Sequence, residues 1–129
     1  MKQNFLFCSN SYFSSKVLSE YSPLSQVRRV LAAGVDPNSP DSDWSRSRPL
    51  ILAASSGHQD ILAALLEHPD LDPNLTDGLS GNTALIDASH TGNTDVVRQL
   101  IRDERTNINF KTEKSGMTAL MQVILYPVF

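Results

Sequence analysis

Three histidines and a set of closely spaced aspartates are the side chains of this sequence that could perform acid–base chemistry. The spacing gives none of His58, His68 and His90 a convincing partner for general acid–base or nucleophilic catalysis. The sequence also lacks the glycine-rich phosphate-binding, G-x-S-x-G and H-E-x-x-H motifs that position catalytic or metal-binding groups. We therefore predict that the chain is not an enzyme, with no catalytic residue, no metal site and no cofactor.

The aspartates that could serve as paired carboxylates have structural interpretations. Asp60 and Asp95 stand where helices are predicted to begin, and a negative charge there offsets the positive end of the helix dipole. Asp70 and Asp72 stand beside prolines in a predicted loop. Neither pair therefore indicates a general acid and its matching base.

Composition and charge narrow the classes of partner. The 129 residues carry a formal net charge of −3, which argues against a broad basic surface for nucleic acid or anionic membrane. No apolar run approaches the roughly 20 residues that cross a bilayer, so we predict no membrane span. The single cysteine, Cys8, can close no internal disulfide, which favours a reducing compartment. We expect a cytoplasmic or nuclear location, or both.

A repeat of 35 residues organises the sequence. Leu50, Leu85 and Leu120 stand 35 residues apart, and Gly57 and Gly92 repeat the same interval. The downstream apolar pairs also match at 35 residues: Ile61-Leu62 with Val96-Val97, and Leu65-Leu66 with Leu100-Ile101. A fixed interval of this length predicts stacked helical repeats. A tetratricopeptide array has a similar period, but its Trp, Leu-Gly and Tyr positions are absent.

Each repeat is predicted to contain two short helices followed by an extended segment, which makes the fold class all-α. In the third unit Thr83 can cap a first helix over residues 84–90, and Gly92 can end it. A second helix is predicted over about 94–103, because its apolar residues recur at helical spacing. The apolar face of that helix consists of Val96, Val97, Leu100 and Ile101.

The sequence resembles a known family, the ankyrin repeats. The segment 48–66, closed by Asp72-Pro73-Asn74, resembles the family consensus, and Gly81-Asn82-Thr83-Ala84-Leu85 resembles its opening. The resemblance implies a solenoid of stacked helix pairs with hairpin loops. It also implies a bracing role for the Gly57-His58 turn, and a family modification, asparaginyl hydroxylation, at Asn74 or Asn109.

Three departures from the family pattern affect the expected structure. Ile51, Ile86 and Met121 replace a histidine that usually makes a hydrogen bond in each unit. Arg46 and Arg48 replace the expected glycine and threonine of the second unit, so we expect an irregular hairpin there. The period is 35 residues instead of the family's roughly 33, which places the extra residues in the connecting loops.

The predicted organisation is a loosely ordered lead-in over residues 1–13 and a repeat domain over 14–129. Its units are about 14–46, 47–80, 81–115 and an incomplete 116–129, called units one to four below. Because a solenoid end is normally polar, the apolar last helix predicts either a truncated array or an end covered by a partner. The residues expected to mediate self-association are Leu120, Val123, Ile124 and Phe129.

The resemblance implies a protein-binding module that acts as an adaptor or scaffold, in signalling or transcriptional regulation. Partners would contact a continuous concave face formed by first helices and hairpin tips. Trp44 stands out because it lies in a polar hairpin region, and Trp and Arg are enriched at binding hot spots; its alternative role is to cap the helices of unit one. The predicted partner-binding residues are Trp44, Arg46, Ser55, Ser56, Leu79, Ser80, Asn82, His90 and Lys114. An alternative function is a truncated regulatory isoform or fragment that associates through its uncovered C-terminal helix.

Overall fold

The computed structural model describes residues 24–40 and 47–125, and within these ranges every regular element is a helix. The helices are α1 (Leu24–Ala32), α2 (Pro49–Ser56), α3 (Gln59–Leu66), α4 (Ala84–Thr91), α5 (Thr94–Arg102) and α6 (Ala119–Leu125). The all-α prediction is confirmed. Trp44, Arg46, Phe129 and the predicted lead-in over 1–13 lie outside the described residues.

The helices stack in two rows. The first helices of the units, α2, α4 and α6, pack against one another to form an inner row, and the second helices, α1, α3 and α5, form an outer row. The core between the rows is built from residues that match at the repeat interval. The buried matched pairs are Leu50 with Leu85, Ala53 with Ala88, Ile61 with Val96, and Leu65 with Leu100.

Local chemistry fixes the helix ends much as the sequence predicts. The Thr83 hydroxyl accepts a hydrogen bond from the Ile86 backbone N–H at 3.4 Å, which satisfies a free donor in the first turn of α4. Gly57 and Gly92 end α2 and α4 in the left-handed conformation, with φ of 74° and 78°. Glycine suits both positions because a side chain would be strained at positive φ.

Arg48 has a role that the sequence does not reveal. It precedes α2 at the position of Thr83 but makes no side-chain cap. Its guanidinium instead donates to the Asn38 carbonyl at 2.7 Å and to the Thr76 carbonyl at 3.0 Å. Arg48 therefore joins the loop that precedes α2 to the loop that follows α3.

Side chains also tie consecutive units together along the outer edge. The Asn74 amide donates to the Arg105 carbonyl at 2.8 Å, and its oxygen accepts from the Asn107 N–H at 2.6 Å. Asn38 makes the matching pair of bonds one unit earlier, to the Asp70 carbonyl and from the Asp72 N–H. The repeated asparagine is thus a connector between units.

One predicted core residue is exposed. Ile101, assigned to the apolar face of the second helix of unit three, is 45% exposed, and the helix ends at Arg102 instead of Asp103. Ile101 matches Leu66, which is partly buried against the core where α5 packs on α3. In the described ranges no outer helix follows α5, so nothing covers Ile101 in the same way.

Candidate functional site

The exposed ends of the inner helices form the first part of the candidate surface. Ser55 and Ser56 are exposed in the last turn of α2, and His90 is exposed in the last turn of α4. The Ser55 hydroxyl donates to the Leu52 carbonyl at 3.3 Å, so it adds no unsatisfied group to the surface. These predicted contact residues therefore lie on exposed ends of the inner row.

Hairpin loops over 77–82 and 112–117 form the second part. Each loop is closed by a backbone hydrogen bond at the same repeat position, from the Asp77 N–H to the Asn82 carbonyl and from the Thr112 N–H to the Met117 carbonyl. The first loop is braced internally: the Asp77 carboxylate accepts hydrogen bonds from the Ser80 hydroxyl at 2.8 Å and from the Ser80 and Gly81 N–H groups. Ser80 is consequently a structural residue of the loop as well as part of its surface.

Three of the predicted contact residues meet at one place. Leu79 is 50% exposed at the tip of the first loop, beside Ser80. The Lys114 ammonium, from the second loop, donates a hydrogen bond to the Leu79 carbonyl. The two loops are therefore joined across their tips.

An open cleft of about 390 Å³ lies between the two hairpins. Its polar walls include Asn74 and Asp77, whose side-chain groups are already bonded within the protein. Leu75 and Phe110 supply its apolar surface, and Glu113 lies at the side of Lys114. The cleft is large enough for one side chain of a partner.

Asp87 is a member of the candidate surface that the sequence interpretation missed. It is partly buried on α4, and the Asn82 amide donates to its carboxylate at 2.8 Å. Burial raises the pKa of Asp87, and the Asp77 charge raises it further, while the Asn82 hydrogen bond and His90 lower it. Asn82 and His90, predicted separately as contact residues, are therefore both neighbours of one carboxylate.

The repeat alignment marks Asp87 as unusual, and this was the signal that the sequence interpretation missed. Asp87 matches Leu52 in unit two and Gln122 in unit four, so an acid occupies a position that is otherwise uncharged. Gln122 is 8% exposed, its amide donates to the Met117 sulfur at 3.5 Å, and its Oε1 has no hydrogen-bond partner. Met117 matches Asn82, so the loop-to-helix pair recurs in consecutive units.

The described residues contain no cluster of side chains suited to a metal ion. Within 24–40 and 47–125, no group of three or more His, Cys, Asp or Glu side chains could hold a metal ion. The backbone N–H of His58 donates to the Ala53 carbonyl, and the Nδ1 of the His68 side chain accepts from the backbone N–H of Asp70 at 3.1 Å. No helix in the same ranges is long and apolar enough to cross a membrane.

Comparisons with known proteins agree with the repeat architecture. A family model described as ankyrin repeats (3 copies) matches residues 17–112. The human protein "Transient receptor potential cation channel subfamily A member 1" is 31% identical over 83 residues, which cover 64% of this chain. The matched region spans 7% of the length of that relative.

Proposed function

This chain belongs to the ankyrin repeat family, and from that membership we propose that it is an adaptor or scaffold that binds another protein through one face. Ankyrin repeats are generally protein–protein interaction modules. The proposed face, called the groove face below, consists of the exposed ends of α2 and α4 together with the two hairpin loops. Signalling or transcriptional regulation, in the cytoplasm or nucleus, is the proposed setting.

One observation carries the proposal: two matched core positions of the inner helices keep their residue type, whereas an exposed position near the ends of these helices changes it. Leu50 and Leu85 are both buried leucines, and Ala53 and Ala88 are both buried alanines. The exposed position two residues beyond these alanines holds Ser55 in unit two and His90 in unit three. Such a division supports a constant framework that presents a variable surface.

Rigidity supports the same proposal. The connectors made by Asn38 and Asn74, the bridge made by Arg48 and the Asp77 network hold the loops in place. A surface that is ordered before binding loses little conformational entropy when a partner docks. The proposed contact residues within the described ranges are Ser55, Ser56, Leu79, Ser80, Asn82, His90 and Lys114, and Trp44 and Arg46 complete the proposal.

The test compares the partner proteins that are captured by the full wild-type chain and by two variants of it. The Ser55→Lys, Ser56→Lys double variant places two long cations on the groove face, and cations suit the C-terminal end of α2. Glu104→Lys makes the same total change of charge on an exposed turn after α5. Circular dichroism verifies that the variants retain the helical content of the wild type.

We expect quantitative mass spectrometry to find proteins that the wild type and Glu104→Lys retain and that the double variant loses. Equal capture by all three forms would contradict binding through the groove face. The comparison separates a specific surface from general adhesion because both altered chains carry the same net charge.

A second candidate function, self-association, is favoured by the last described helix. Leu120 and Ile124 on α6 are 69% and 67% exposed, and Leu125 is also exposed. Val123, a further residue of the proposed interface, is half-buried on the same helix. A second copy of the chain is the proposed occupant of this surface.

A further inference from the structure

Ser39 occupies a loop position that is apolar in the following units. Residues 36–38 and 72–74 have the same sequence, Asp-Pro-Asn, so Ser39 corresponds to Leu75. One unit later the corresponding residue is Phe110, which packs against the core. Leu75 is also partly buried. Packing therefore favours an apolar side chain at this position, and the hydroxyl of Ser39 is a departure from the pattern.

Pro40 follows Ser39 directly, and this pair suits recognition by a protein kinase. A proline pushes the preceding residue toward extended backbone, the conformation in which kinases bind a substrate chain. Proline also has no N–H, so it leaves no unsatisfied donor in the apolar pocket of a kinase that accepts the residue after the serine. Residues 33–40 contain no helix or strand, and the Ser39 hydroxyl donates to the Asp36 carbonyl at 2.9 Å in an exposed turn. Water can replace that bond when a kinase engages the serine.

Arg48 places a cation beside the same turn. Its guanidinium donates at 2.7 Å to the Asn38 carbonyl, which belongs to the peptide bond that joins Asn38 to Ser39. Its other bond is to the Thr76 carbonyl at 3.0 Å, so both acceptors are neutral. The ion pairs within residues 24–40 and 47–125 do not include Arg48. In the described part of the chain, a partly buried cation thus lies next to Ser39 without an anionic partner.

We propose that Ser39 is a phosphorylation site for a proline-directed serine/threonine kinase and that Arg48 binds the resulting phosphate. The Ser39 hydroxyl oxygen attacks the γ-phosphorus of ATP, and the bond between that phosphorus and the β–γ bridging oxygen breaks. ADP leaves with the electron pair of that bond, and the hydroxyl proton passes to the catalytic aspartate of the kinase. The phosphate carries a charge of about −1.5 to −2 and three acceptor oxygens, which a planar guanidinium can bind in pairs.

A phosphate bound by Arg48 connects Ser39 to the groove face. Arg48 also holds the Thr76 carbonyl, and Thr76 directly precedes Asp77, whose carboxylate braces the first hairpin loop. The phosphate competes with the two carbonyls for the same guanidinium, so modification acts on the support of that loop. The phosphorylation site itself does not depend on the proposed function, because its evidence lies outside the groove face.

Three carboxylates near Ser39 oppose the phosphate. Asp36 lies in the same turn, where its side chain accepts a backbone N–H at 2.9 Å. Asp70 and Asp72 belong to the loop that is hydrogen-bonded to this turn. These negative charges raise the pKa of a phosphate on Ser39, whereas pairing with Arg48 lowers it. The pKa of the phosphate therefore reports whether Arg48 binds it.

The first experiment measures phosphate uptake by the folded full chain from ATP and a proline-directed kinase, with mass spectrometry to locate the modified residue. The sequence contains a second serine before a proline, Ser22, so all chains carry Ser22→Ala and uptake reports on Ser39. We expect a single phosphate, on Ser39, and its loss in both Ser39→Ala and Pro40→Ala. Pro40→Ala is the sharper variant because it keeps the hydroxyl.

A synthetic peptide of residues 34–45 shows whether the fold permits the reaction. Phosphate on the peptide but not on the folded chain would overturn the inference, because the site would then be closed in the native protein. Equal uptake with and without Pro40→Ala would overturn recognition by a proline-directed kinase.

The second experiment measures the pKa of the phosphate by phosphorus NMR in the phosphorylated chain and in its Arg48→Gln and Arg48→Lys variants. We expect Arg48→Gln to raise this pKa by roughly 1 pH unit, the shift expected when a nearby opposite charge is removed, and Arg48→Lys to change it less. The phosphorylated peptide contains Asp36 but not Arg48, so it repeats the comparison if circular dichroism shows that Arg48→Gln does not fold. A phosphate pKa in the folded chain that is no lower than in Arg48→Gln or the peptide would overturn binding by Arg48.

Discussion

Asp87 loses part of its hydration when the chain folds, and this burial raises its pKa above the usual value of 3.8. The folded protein therefore holds the proton of Asp87 more strongly than the unfolded chain does. Ionisation of Asp87 therefore lowers the free energy of unfolding. This loss develops as the pH rises from 3.8 through the pKa of Asp87 in the folded protein. We expect Asp87→Asn to raise the free energy of unfolding at neutral pH and to leave it nearly unchanged well below pH 3.8, as measured by denaturant unfolding.

Asp103 serves as a control, because its pKa shifts in the direction opposite to that of Asp87. The side-chain hydrogen bond from Arg105, at 2.7 Å, lowers the pKa of Asp103. Its contribution to stability is therefore present above its unfolded pKa and is lost as the pH falls through the folded pKa. Asp103→Asn should destabilise the protein at neutral pH, and an Asp87→Asn protein that behaves in the same way would contradict the assignment of Asp87.

At the residue scale, the sequence predicts those roles that depend on near neighbours along the chain. Thr83 and Gly92 follow local rules for helix ends, and both predictions are confirmed. Arg48 and Asp87 depend on groups brought together by stacking: Arg48 meets Asn38 and Thr76, and burial shifts the pKa of Asp87. Spacing alone does not reveal such roles, although the mismatch of Asp87 with Leu52 marks it as unusual.

Asn74 connects the loop after α3 to the loop after α5, and its side chain uses both of its polar atoms for this purpose. We expect Asn74→Ala to lower the free energy of unfolding by roughly 1 to 3 kcal/mol, because two backbone groups, one of them partly buried, lose their partner. Thermal and denaturant unfolding followed by circular dichroism measure the loss. The matched control is Asn109→Ala, at the corresponding position in the next loop.

Asn109 is exposed, so its replacement should change the free energy of unfolding by less than about 0.5 kcal/mol. Equal losses from both asparagines would show that Asn74 acts only within its own loop. The two bonds of Asn74 also bear on the predicted hydroxylation, which stays untested: the Asn74 side chain is engaged between units.

At the element scale, the repeat interval predicts the helices well and the loops poorly. The bounds predicted for α4 and α5 each differ from the structure by one residue, because capping and periodicity are local properties. The hairpin loops owe their shape to Asp77 and Thr112, whose side chains accept bonds from several backbone N–H groups. The sequence shows these residues but does not reveal which groups turn toward them.

The whole molecule, as far as it is described, buries apolar residues between consecutive units and leaves one side of α6 without a neighbour. The pattern follows from stacking: Leu85 and Ile86 are buried, whereas their matches Leu120 and Met121 are exposed. The sequence predicts this surface because the repeat alignment gives the face of each helix. It cannot identify the occupant, since an apolar helix face accepts many partners.

Leu120 offers the sharpest test of whether a second copy covers this side of α6. Burial of a leucine side chain stabilises an interface by about 1.5 to 3 kcal/mol, so Leu120→Asp should weaken self-association by roughly 10- to 100-fold. Sedimentation velocity over a range of concentrations measures the effect. Ile108→Asp, a change of the same kind at another exposed apolar residue, should associate like the wild type. Equal association of Leu120→Asp and the wild type would exclude this surface as the interface between copies, and a wild type that stays monomeric at every concentration would leave α6 for a different partner.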